Sequence, residues 1–208
     1  MEIEIVNHNL IKERLTVLRD SETPNSIFRQ NLHDLSVFLV YEALRNVDLE
    51  KKLVKTPLVE TEGWTLECAP LLVPIVRAGL GMLDGALSIL PNSDVCFLGA
   101  RRDEETFQPE IYMNTIPNEL DGCGVIVLDP MLATGGSLLH ALQLIKDSGA
   151  GRIVAISVLA APQGLETIAA SGIDGKLFVG YVDEGLNKSA FILPGLGDAG
   201  DRQFGQIT

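Results

Sequence analysis

Five short apolar runs, separated by segments with helical periodicity, constrain the fold of this chain more than any other feature. They are LLVPIV at 71–76, VCFLGA at 95–100, GVIVLD at 124–129, RIVAISVLA at 152–160 and KLFVGYV at 176–182. Each run has the length of a strand and is apolar on both faces. Strands of this kind lie inside parallel sheets that helices cover on both sides.

Helical segments follow three of the runs, at 79–90, 135–149 and 162–172, and a further amphipathic helix is predicted at 25–46. The alternation predicts an α/β fold with a mostly parallel central sheet and helices on both faces. A length of 208 residues and a hydrophobic content of 46% fit one globular domain. Ligands bind beyond the carboxyl ends of such strands, so the residues after each run are the candidates for a site.

The chain is acidic, with a formal net charge of -12. Affinity for nucleic acid depends on many Lys and Arg contacts to phosphate, so no nucleic-acid partner is expected. The longest apolar run, from Ile153, covers about half of the roughly 20 residues that span a bilayer, and no membrane partner is expected. The N-terminus lacks the basic start and apolar core of a signal peptide, which predicts a cytoplasmic protein.

The three cysteines, Cys68, Cys96 and Cys123, form no CxxC pair, and each lies in or beside an apolar segment. This pattern favours buried, reduced thiols over metal ligands. The chain has only three histidines, so few residues are available to form a zinc site or a Cys-His catalytic pair.

Asp129 ends the third apolar run, and the turn from Ala133 to Ser137 carries two glycines and two hydroxyls before a helix. Helix-start N–H groups favour an anion, and glycine allows it a close approach. The alternative is that Thr134 or Ser137 only caps the helix. The acid before the turn favours a phosphate site, because a carboxylate there can accept ribose hydroxyls or lie in the outer shell of Mg²⁺. The turn lacks the Lys of a GxxxxGK[ST] loop, which excludes the usual nucleoside-triphosphate loop.

Arginines follow two other runs. Arg77 precedes a second glycine-bearing turn, and Arg101 and Arg102 open a segment, 101–121, that has no clear periodicity. Basic residues are scarce in this chain, so an arginine at the ligand-binding edge indicates contact with a second phosphate group. The segment 101–121 is predicted to be a long functional loop, the alternative being an antiparallel arm.

Gly195, Gly197 and Gly200 have the GxGxxG spacing of dinucleotide-binding turns. No apolar helical pattern follows them, so we predict a glycine-rich loop without a helix rather than a dinucleotide site. Such a loop exposes backbone N–H and C=O groups, which can read the edge of a flat, polar, uncharged ring. A dinucleotide-dependent oxidoreductase is the alternative, and it rests on the spacing alone.

Four segments, in this order and spacing, resemble a known family. VIVLDPMLATGGS resembles the phosphoribosyl diphosphate-binding motif of the type I phosphoribosyltransferases, and LLVPIVRAGLGMLDG, ARRDEET and FILPGLGDAGDRQFG resemble segments of the uracil phosphoribosyltransferases. The resemblance extends over nearly the whole chain. It implies the type I phosphoribosyltransferase fold in a single domain, 1–208, with a core at about 65–180, a small hood formed by the N-terminal segment and 181–208, and an arm or flap around 101–121.

The resemblance also implies roles for individual residues. The residues implied in catalysis are Arg77, Arg102 and Asp129. The phosphoribosyl diphosphate would be bound by Arg77, Arg102, Asp129, Pro130, Met131, Leu132, Ala133, Thr134, Gly135, Gly136, Ser137 and Asp198. Uracil would be bound, mainly through main-chain groups, by Ile192, Gly197, Asp198 and Ala199.

The reaction that the family implies is transfer of the 5-phosphoribosyl group from 5-phospho-α-D-ribose 1-diphosphate to N1 of uracil, giving UMP and diphosphate. Mg²⁺ is the implied cofactor, bound mainly through the diphosphate substrate and not by a metal site of the protein. A homodimer or larger homo-oligomer is also implied. Whether GTP or another nucleotide acts as an effector is left open.

Two positions depart from the wider type I pattern. Pro130 stands where most members have a second acid, as it does in the uracil-specific members. Arg101 stands where an aromatic residue is expected, so a diphosphate contact from Arg101 instead of Arg102 is an alternative. A second class of function, a phosphoribosyltransferase-like regulator that senses uridine nucleotides and binds RNA, is disfavoured by the acidic charge.

Overall fold

A computed structural model describes residues 1–102 and 109–206 of the protein. The strands are β1 (Glu2–Ile5), β2 (Leu49–Lys55), β3 (Glu60–Leu66), β4 (Leu71–Val76), β5 (Leu98–Arg102), β6 (Pro109–Asn114), β7 (Val125–Leu128), β8 (Met131–Leu132), β9 (Ile153–Ala160), β10 (Lys176–Val182), β11 (Gly185–Leu186) and β12 (Ile192–Leu193). The helices are α1 (Asn9–Arg19), α2 (Asn25–Ala43), α3 (Leu80–Ile89), α4 (Gly136–Asp147), α5 (Pro162–Ala169) and α6 (Ala199–Phe204).

Eight of the described strands form one sheet, in the order β1-β10-β9-β7-β4-β5-β6, with β8 beside β9. Its neighbours run parallel except for β5 and β6, which pair antiparallel. Leu128 of β7 lies opposite Pro74 of β4 and Ile156 of β9. The ends of these three strands therefore meet at one edge, and the predicted parallel sheet is confirmed.

The two faces of the sheet carry separate hydrophobic cores. In β7, Ile126 and Leu128 belong to the core formed with α1, α2 and α3, whereas Val125 and Val127 belong to the core formed with α4 and α5. All four side chains are at most 1% exposed. The apolar run GVIVLD is thus buried on both faces, as its composition predicts, and helices cover both sides of the sheet.

The segment 101–121 is not one long loop, and that expectation is wrong for 109–114. β6 returns along β5 as the edge strand of the sheet, with Ile111 opposite Ala100. The alternative of an antiparallel arm describes this part of the chain, while residues 103–108 lie outside the described residues. β6 was missed because an edge strand with one exposed face has no continuous apolar run.

The expectation that no helix follows the C-terminal glycines is also wrong. α6 is only six residues long, too short to show helical periodicity in the sequence. Its N-terminus is capped by Asp198, whose Oδ1 accepts a hydrogen bond from the backbone N–H of Asp201 over 2.9 Å.

Two further elements lie in the N-terminal third of the chain. β1 pairs with β10 and extends the central sheet. β2 and β3 form a separate antiparallel hairpin, and every residue of β2 is exposed. Leu53, Leu58 and Trp64 of this region are 68%, 95% and 63% exposed, which is unusual for large apolar side chains. The division into a core and a hood stays a prediction.

The prediction of buried thiols is wrong for Cys68, which is exposed in the bend after β3, while Cys96 and Cys123 are half-buried. Bends between strands leave side chains near apolar sequence open to solvent, which the sequence pattern does not distinguish. Among the helices of the described residues, none has both the length and the apolar character needed to cross a membrane.

Candidate active site

A cavity of about 460 Å³ lies beyond the carboxyl ends of β4 and β7. This is the edge at which parallel sheets bind their ligands. The cavity brings together most of the residues predicted to bind the phosphoribosyl diphosphate. Those in its wall are Arg77, Asp129, Met131, Leu132, Ala133, Thr134, Gly135, Gly136, Ser137 and Asp198.

Asp129 directly follows β7 and lies in the cavity wall. Its backbone N–H donates to the carbonyl oxygen of Ile156 over 3.1 Å, which fixes it beside β9. Burial raises the pKa of its carboxyl to about 7, and a hydrogen bond from the backbone N–H of Met131 opposes this in part. A carboxyl with such a pKa in a cleft is typical of functional sites.

The turn from Ala133 to Ser137 leads directly into α4. Gly135 has a φ of 87°, in the left-handed region that favours glycine, and the helix begins at Gly136. A Cβ atom at Gly135 would lie 3.0 Å from the Cβ atom of Thr167 in α5, so the close approach of α5 also favours glycine. The start of α4 thus borders the cavity with N–H groups that have no partner within the helix, a favourable environment for an anion.

Helix α5 supports the outer side of this turn. Thr167 Oγ1 donates to the carbonyl oxygen of Thr134 over 2.9 Å. Gly164 allows the two backbones to approach, since a Cβ atom there would lie 2.7 Å from the carbonyl oxygen of Ala133. Contacts with α5 therefore support the shape of the turn.

Arg77 follows β4 and forms an ion pair with Asp201 of α6, in which Nη2 lies 2.7 Å from Oδ1. The two side chains are 41% and 30% exposed. A guanidinium has five N–H donors, so this contact leaves others for a ligand. Arg77 is thereby held in the cavity wall where a second phosphate group is predicted.

Gln203 connects the turn after Arg77 to α6. Its side chain is fully buried, and Nε2 donates to the carbonyl oxygens of Ala78 over 3.0 Å and Ala199 over 2.6 Å. Arg29 of α2 donates from Nη1 to the carbonyl oxygen of Gln203 over 2.5 Å. One short helix therefore links the arginine after β4 to the loop that is predicted to bind the base.

The glycine loop before α6 is supported by a buried ion pair. Arg19 contacts both carboxylate oxygens of Asp183, at 2.5 and 2.9 Å, and the Asp183 side chain is 2% exposed. Both partners also bind Gly195. Arg19 Nη1 donates to its carbonyl oxygen over 2.9 Å, and its N–H donates to Asp183 Oδ2 over 2.8 Å. The Arg19–Asp183 pair thus fixes the backbone of the loop at Gly195.

The GxGxxG match has no dinucleotide-binding context. The strand before it, β12, is two residues long and pairs antiparallel with β11. The dinucleotide fingerprint requires a parallel strand that leads through the glycine turn into a long helix. Neither is present in the described part of the C-terminal segment.

Some predicted residues lie outside the cavity wall. Asp198 and its neighbour Gly200 line the cavity, but Ile192, Gly197 and Ala199 do not. Their assignment to uracil stays a prediction.

Pro130, which is also predicted to bind the phosphoribosyl diphosphate, is absent from the cavity wall. Pro130 is buried, and its carbonyl oxygen accepts from the N–H of Leu159 over 3.0 Å. The side chain of Arg102 lies outside the described part of the chain, so the choice between Arg102 and Arg101 stays a prediction.

Sequence reasoning missed several residues at or behind the cavity: Tyr112 in its wall, Asp201 and Gln203 in α6, and the pair Arg19 and Asp183. The acid of the Asp-Arg dipeptide after the glycines is a signal that could have identified Asp201. Arg19 and Asp183 are 164 positions apart, and no local pattern connects them.

In residues 1–102 and 109–206, no cluster of three or more His, Cys, Asp or Glu side chains has the arrangement of a metal site. Asp129 and Asp198 do share the cavity wall. Carboxylate oxygens are ligands that Mg²⁺ prefers, and Mg²⁺ usually takes only one or two of them together with substrate phosphates. The chemistry of these two carboxylates therefore fits Mg²⁺, and the prediction that its substrate mainly binds the ion stays a prediction.

A mostly parallel sheet, an aspartate and a glycine turn after one strand, and an arginine after the neighbouring strand together place the protein in the class of type I phosphoribosyltransferases. The fold agrees with that of adenine phosphoribosyltransferase from Trypanosoma brucei, with a TM-score of 0.56 at 14% identity over 94% of this chain and 88% of that chain. The chain belongs to the uracil phosphoribosyltransferase family, whose profile matches residues 5–206.

Full-length relatives support this membership. A uracil phosphoribosyltransferase of Corynebacterium diphtheriae is 50% identical over 205 residues, covering 99% of this chain and 97% of that protein. The AQ2163 protein of Aquifex aeolicus has a TM-score of 0.92 at 42% identity, covering 98% of both chains. The chain thus matches these relatives from end to end.

Proposed function

We propose that this protein transfers the 5-phosphoribosyl group from 5-phospho-α-D-ribose 1-diphosphate to N1 of uracil, giving UMP and diphosphate. The observation that carries the proposal is a single cavity that joins the Thr134–Ser137 turn, Arg77 and Asp198. A phosphate, a diphosphate and a base must lie side by side in this reaction. The assignment of uracil as the base rests on the name of the relatives, since the cavity would accept more than one kind of ring.

Each part of the phosphoribosyl substrate has a proposed partner. The 5-phosphate binds the N–H groups and hydroxyls from Thr134 to Ser137. Asp129 accepts hydrogen bonds from the ribose hydroxyls, and Arg77, with Arg102, binds the diphosphate.

The reaction is a displacement at C1 of the ribose. Positive charge develops on the ring while negative charge builds on the departing diphosphate, so no side-chain nucleophile is required. Arg77 and Arg102 stabilise the leaving group, and fixed binding of both substrates supplies proximity and alignment. When bound, Mg²⁺ would neutralise further diphosphate charge beside Asp129 and Asp198.

The loop from Ile192 to Ala199 is proposed to read uracil through main-chain groups. Uracil offers two carbonyl oxygens and an N–H, whereas cytosine replaces one acceptor with an amino donor. Backbone groups fitted to uracil would be left unpaired by cytosine, which permits discrimination on the order of 10⁴-fold. The buried Arg19–Asp183 pair supports this proposal because it fixes the backbone at Gly195.

We further propose a homodimer or larger homo-oligomer. The exposed hairpin of β2 and β3, with Leu53 and Trp64 on its surface, supports the proposal because an isolated two-stranded hairpin is only marginally stable. The cytoplasm is the proposed location, since three free cysteines fit a reducing compartment. A nucleotide effector such as GTP remains a proposal with no assigned site.

The test is a product assay with the purified protein, 5-phospho-α-D-ribose 1-diphosphate and Mg²⁺. We expect UMP from uracil, and no comparable turnover with cytosine or hypoxanthine. Comparable turnover with either base would refute the assignment of uracil. The alternative of an RNA-binding regulator predicts no turnover and a mobility shift with uridine-rich RNA, and the enzyme name of the relatives does not favour it.

A further inference from the structure

Cys68 and Cys123 are 55 positions apart, yet their sulfur atoms are 3.8 Å from each other. Cys68 lies in the bend between β3 and β4, and Cys123 lies just before β7. Both cysteines precede the amino ends of strands, and the cavity lies at the other end of these strands, beyond their carboxyl ends. The pair has no part in the proposed reaction.

The backbone brings the two cysteines together. Leu71 is opposite Val125 at the start of the β4 and β7 ladder, and the N–H of Leu71 donates to the carbonyl oxygen of Gly124 over 2.8 Å. Both thiols also lie near the carbonyl oxygen of Ala69, at 3.5 Å for Cys68 and 4.0 Å for Cys123. The sheet therefore sets the approach of the sulfur atoms.

We propose that Cys68 and Cys123 are a reversible redox site that forms an intramolecular disulfide when it meets a low-molecular-weight disulfide. A disulfide requires the sulfur atoms to close from 3.8 Å to about 2.05 Å. Both cysteines lie outside the strands, so this adjustment falls on bends and side chains and leaves the sheet ladder intact.

The order of the steps follows from exposure. Cys68 is exposed, whereas burial raises the pKa of the Cys123 thiol, with the neighbouring Cys68 thiol acting in the same direction. The Cys68 thiolate attacks one sulfur of the small disulfide, forms a mixed disulfide and releases one small thiol. Cys123 then loses its proton and attacks the sulfur of Cys68, which releases the second small thiol. Two electrons pass from the protein to the small disulfide. The sulfur–sulfur bond of the small molecule is broken, and a sulfur–sulfur bond between Cys68 and Cys123 is formed.

The new bond would close a loop between the two strands that carry Arg77 and Asp129 at their far ends. Cross-linking constrains the unfolded chain, and a bond across so long a loop is expected to raise the melting temperature by roughly 5–10 °C. Because β4 and β7 are already paired at this point, the folded sheet changes little. Catalytic activity should therefore stay within about two-fold of that of the reduced protein.

The test uses the reduced full-length protein, incubated with oxidised glutathione, quenched in acid and alkylated with N-ethylmaleimide. We expect peptide mass spectrometry to find residues 68 and 123 cross-linked and Cys96 alkylated, with reversal by dithiothreitol. Cys96→Ser is the matched control and should retain the cross-link and the rise in melting temperature. Cys68→Ser and Cys123→Ser should lose both.

Two results would overturn the proposal. One is a stable glutathione adduct on Cys68 without a cross-link, and the other is alkylation of all three cysteines after exposure to oxidised glutathione. If a serine variant does not fold, the mapping of the cross-link in the parent and in Cys96→Ser decides the question.

Discussion

Asp201 Oδ1 lies 2.7 Å from Arg77 Nη2 and joins the helix after the glycine loop to the arginine after β4. In sequence the two residues are 124 positions apart. The contact orients a guanidinium that still has donors for a ligand. We therefore expect Asp201 to position Arg77 for the proposed contact with the diphosphate.

Asp201→Asn should raise the KM for 5-phospho-α-D-ribose 1-diphosphate by roughly 3–10-fold, because a partly exposed ion pair of this kind contributes about 1 kcal/mol. The KM for uracil should change little. Steady-state kinetics with each substrate varied in turn checks this. Asp174→Asn, at an exposed position before β10, removes the same charge and should have no effect. An equal loss in both variants would mean that only net charge matters.

Asp129→Asn should stabilise the protein at neutral pH while abolishing most activity. The folded-state pKa is about 7 against an ordinary 3.8, so between these values the folded state retains a proton that the unfolded chain has released. The stability contributed by the protonated carboxyl is present at low pH and is lost as pH rises to 7. The amide of the Asp129→Asn variant does not titrate in this range, so the variant does not lose stability in this way.

The measurement is the melting temperature of parent and variant, without ligands, from pH 5 to pH 8. We expect the stability advantage of Asp129→Asn to grow up to about pH 7 and then level off, reaching about 4 kcal/mol, because each pKa unit between 3.8 and about 7 corresponds to about 1.4 kcal/mol. A difference that is constant over the series would contradict the raised pKa.

Asp183→Asn should lower the free energy of unfolding by about 3 kcal/mol, since Arg19 then loses its charged partner in a largely buried pair. The same variant should raise the KM for uracil, because Gly195 loses its fixed contacts. Urea unfolding and kinetics with varied uracil measure the two effects. Glu184→Gln, at the exposed neighbouring position, is the control and should show neither.

A comparison of Gly135→Ala with Gly149→Ala distinguishes the effect of backbone strain from the effect of crowding at the proposed phosphate-binding turn. Both glycines have a positive φ, 87° and 79°, so each variant should lose roughly 1 kcal/mol of stability. Nothing lies within 4 Å of a Cβ atom at Gly149, whereas one at Gly135 would meet Thr167 at 3.0 Å. Only Gly135→Ala should therefore lose phosphoribosyl transfer. Equal activity in both variants would argue against a role for the turn.

The fold was largely predictable because its strands are apolar on both faces and its main helices are periodic. The position of the turn in the cavity wall was predictable because Asp129 and Gly135 are close in sequence and directly follow β7. Elements without a periodic apolar pattern were missed: every residue of β2 is exposed, and α6 is only six residues long. Contacts such as Arg77 to Asp201 depend on how distant segments fold together, and no local pattern encodes them.

The hydrogen bonds of Gln203 to Ala78 and Ala199 have a consequence for protein engineering. They connect the loop that is proposed to bind the base with Arg77, which is proposed to bind the diphosphate. Grafting only residues 194–198 from a relative with another base preference would shift α6 and, through it, Arg77. A graft that keeps phosphate affinity must carry the helix up to Phe204 and preserve the anchor from Arg29. A designed change of base preference in this scaffold should therefore exchange the loop and α6 together.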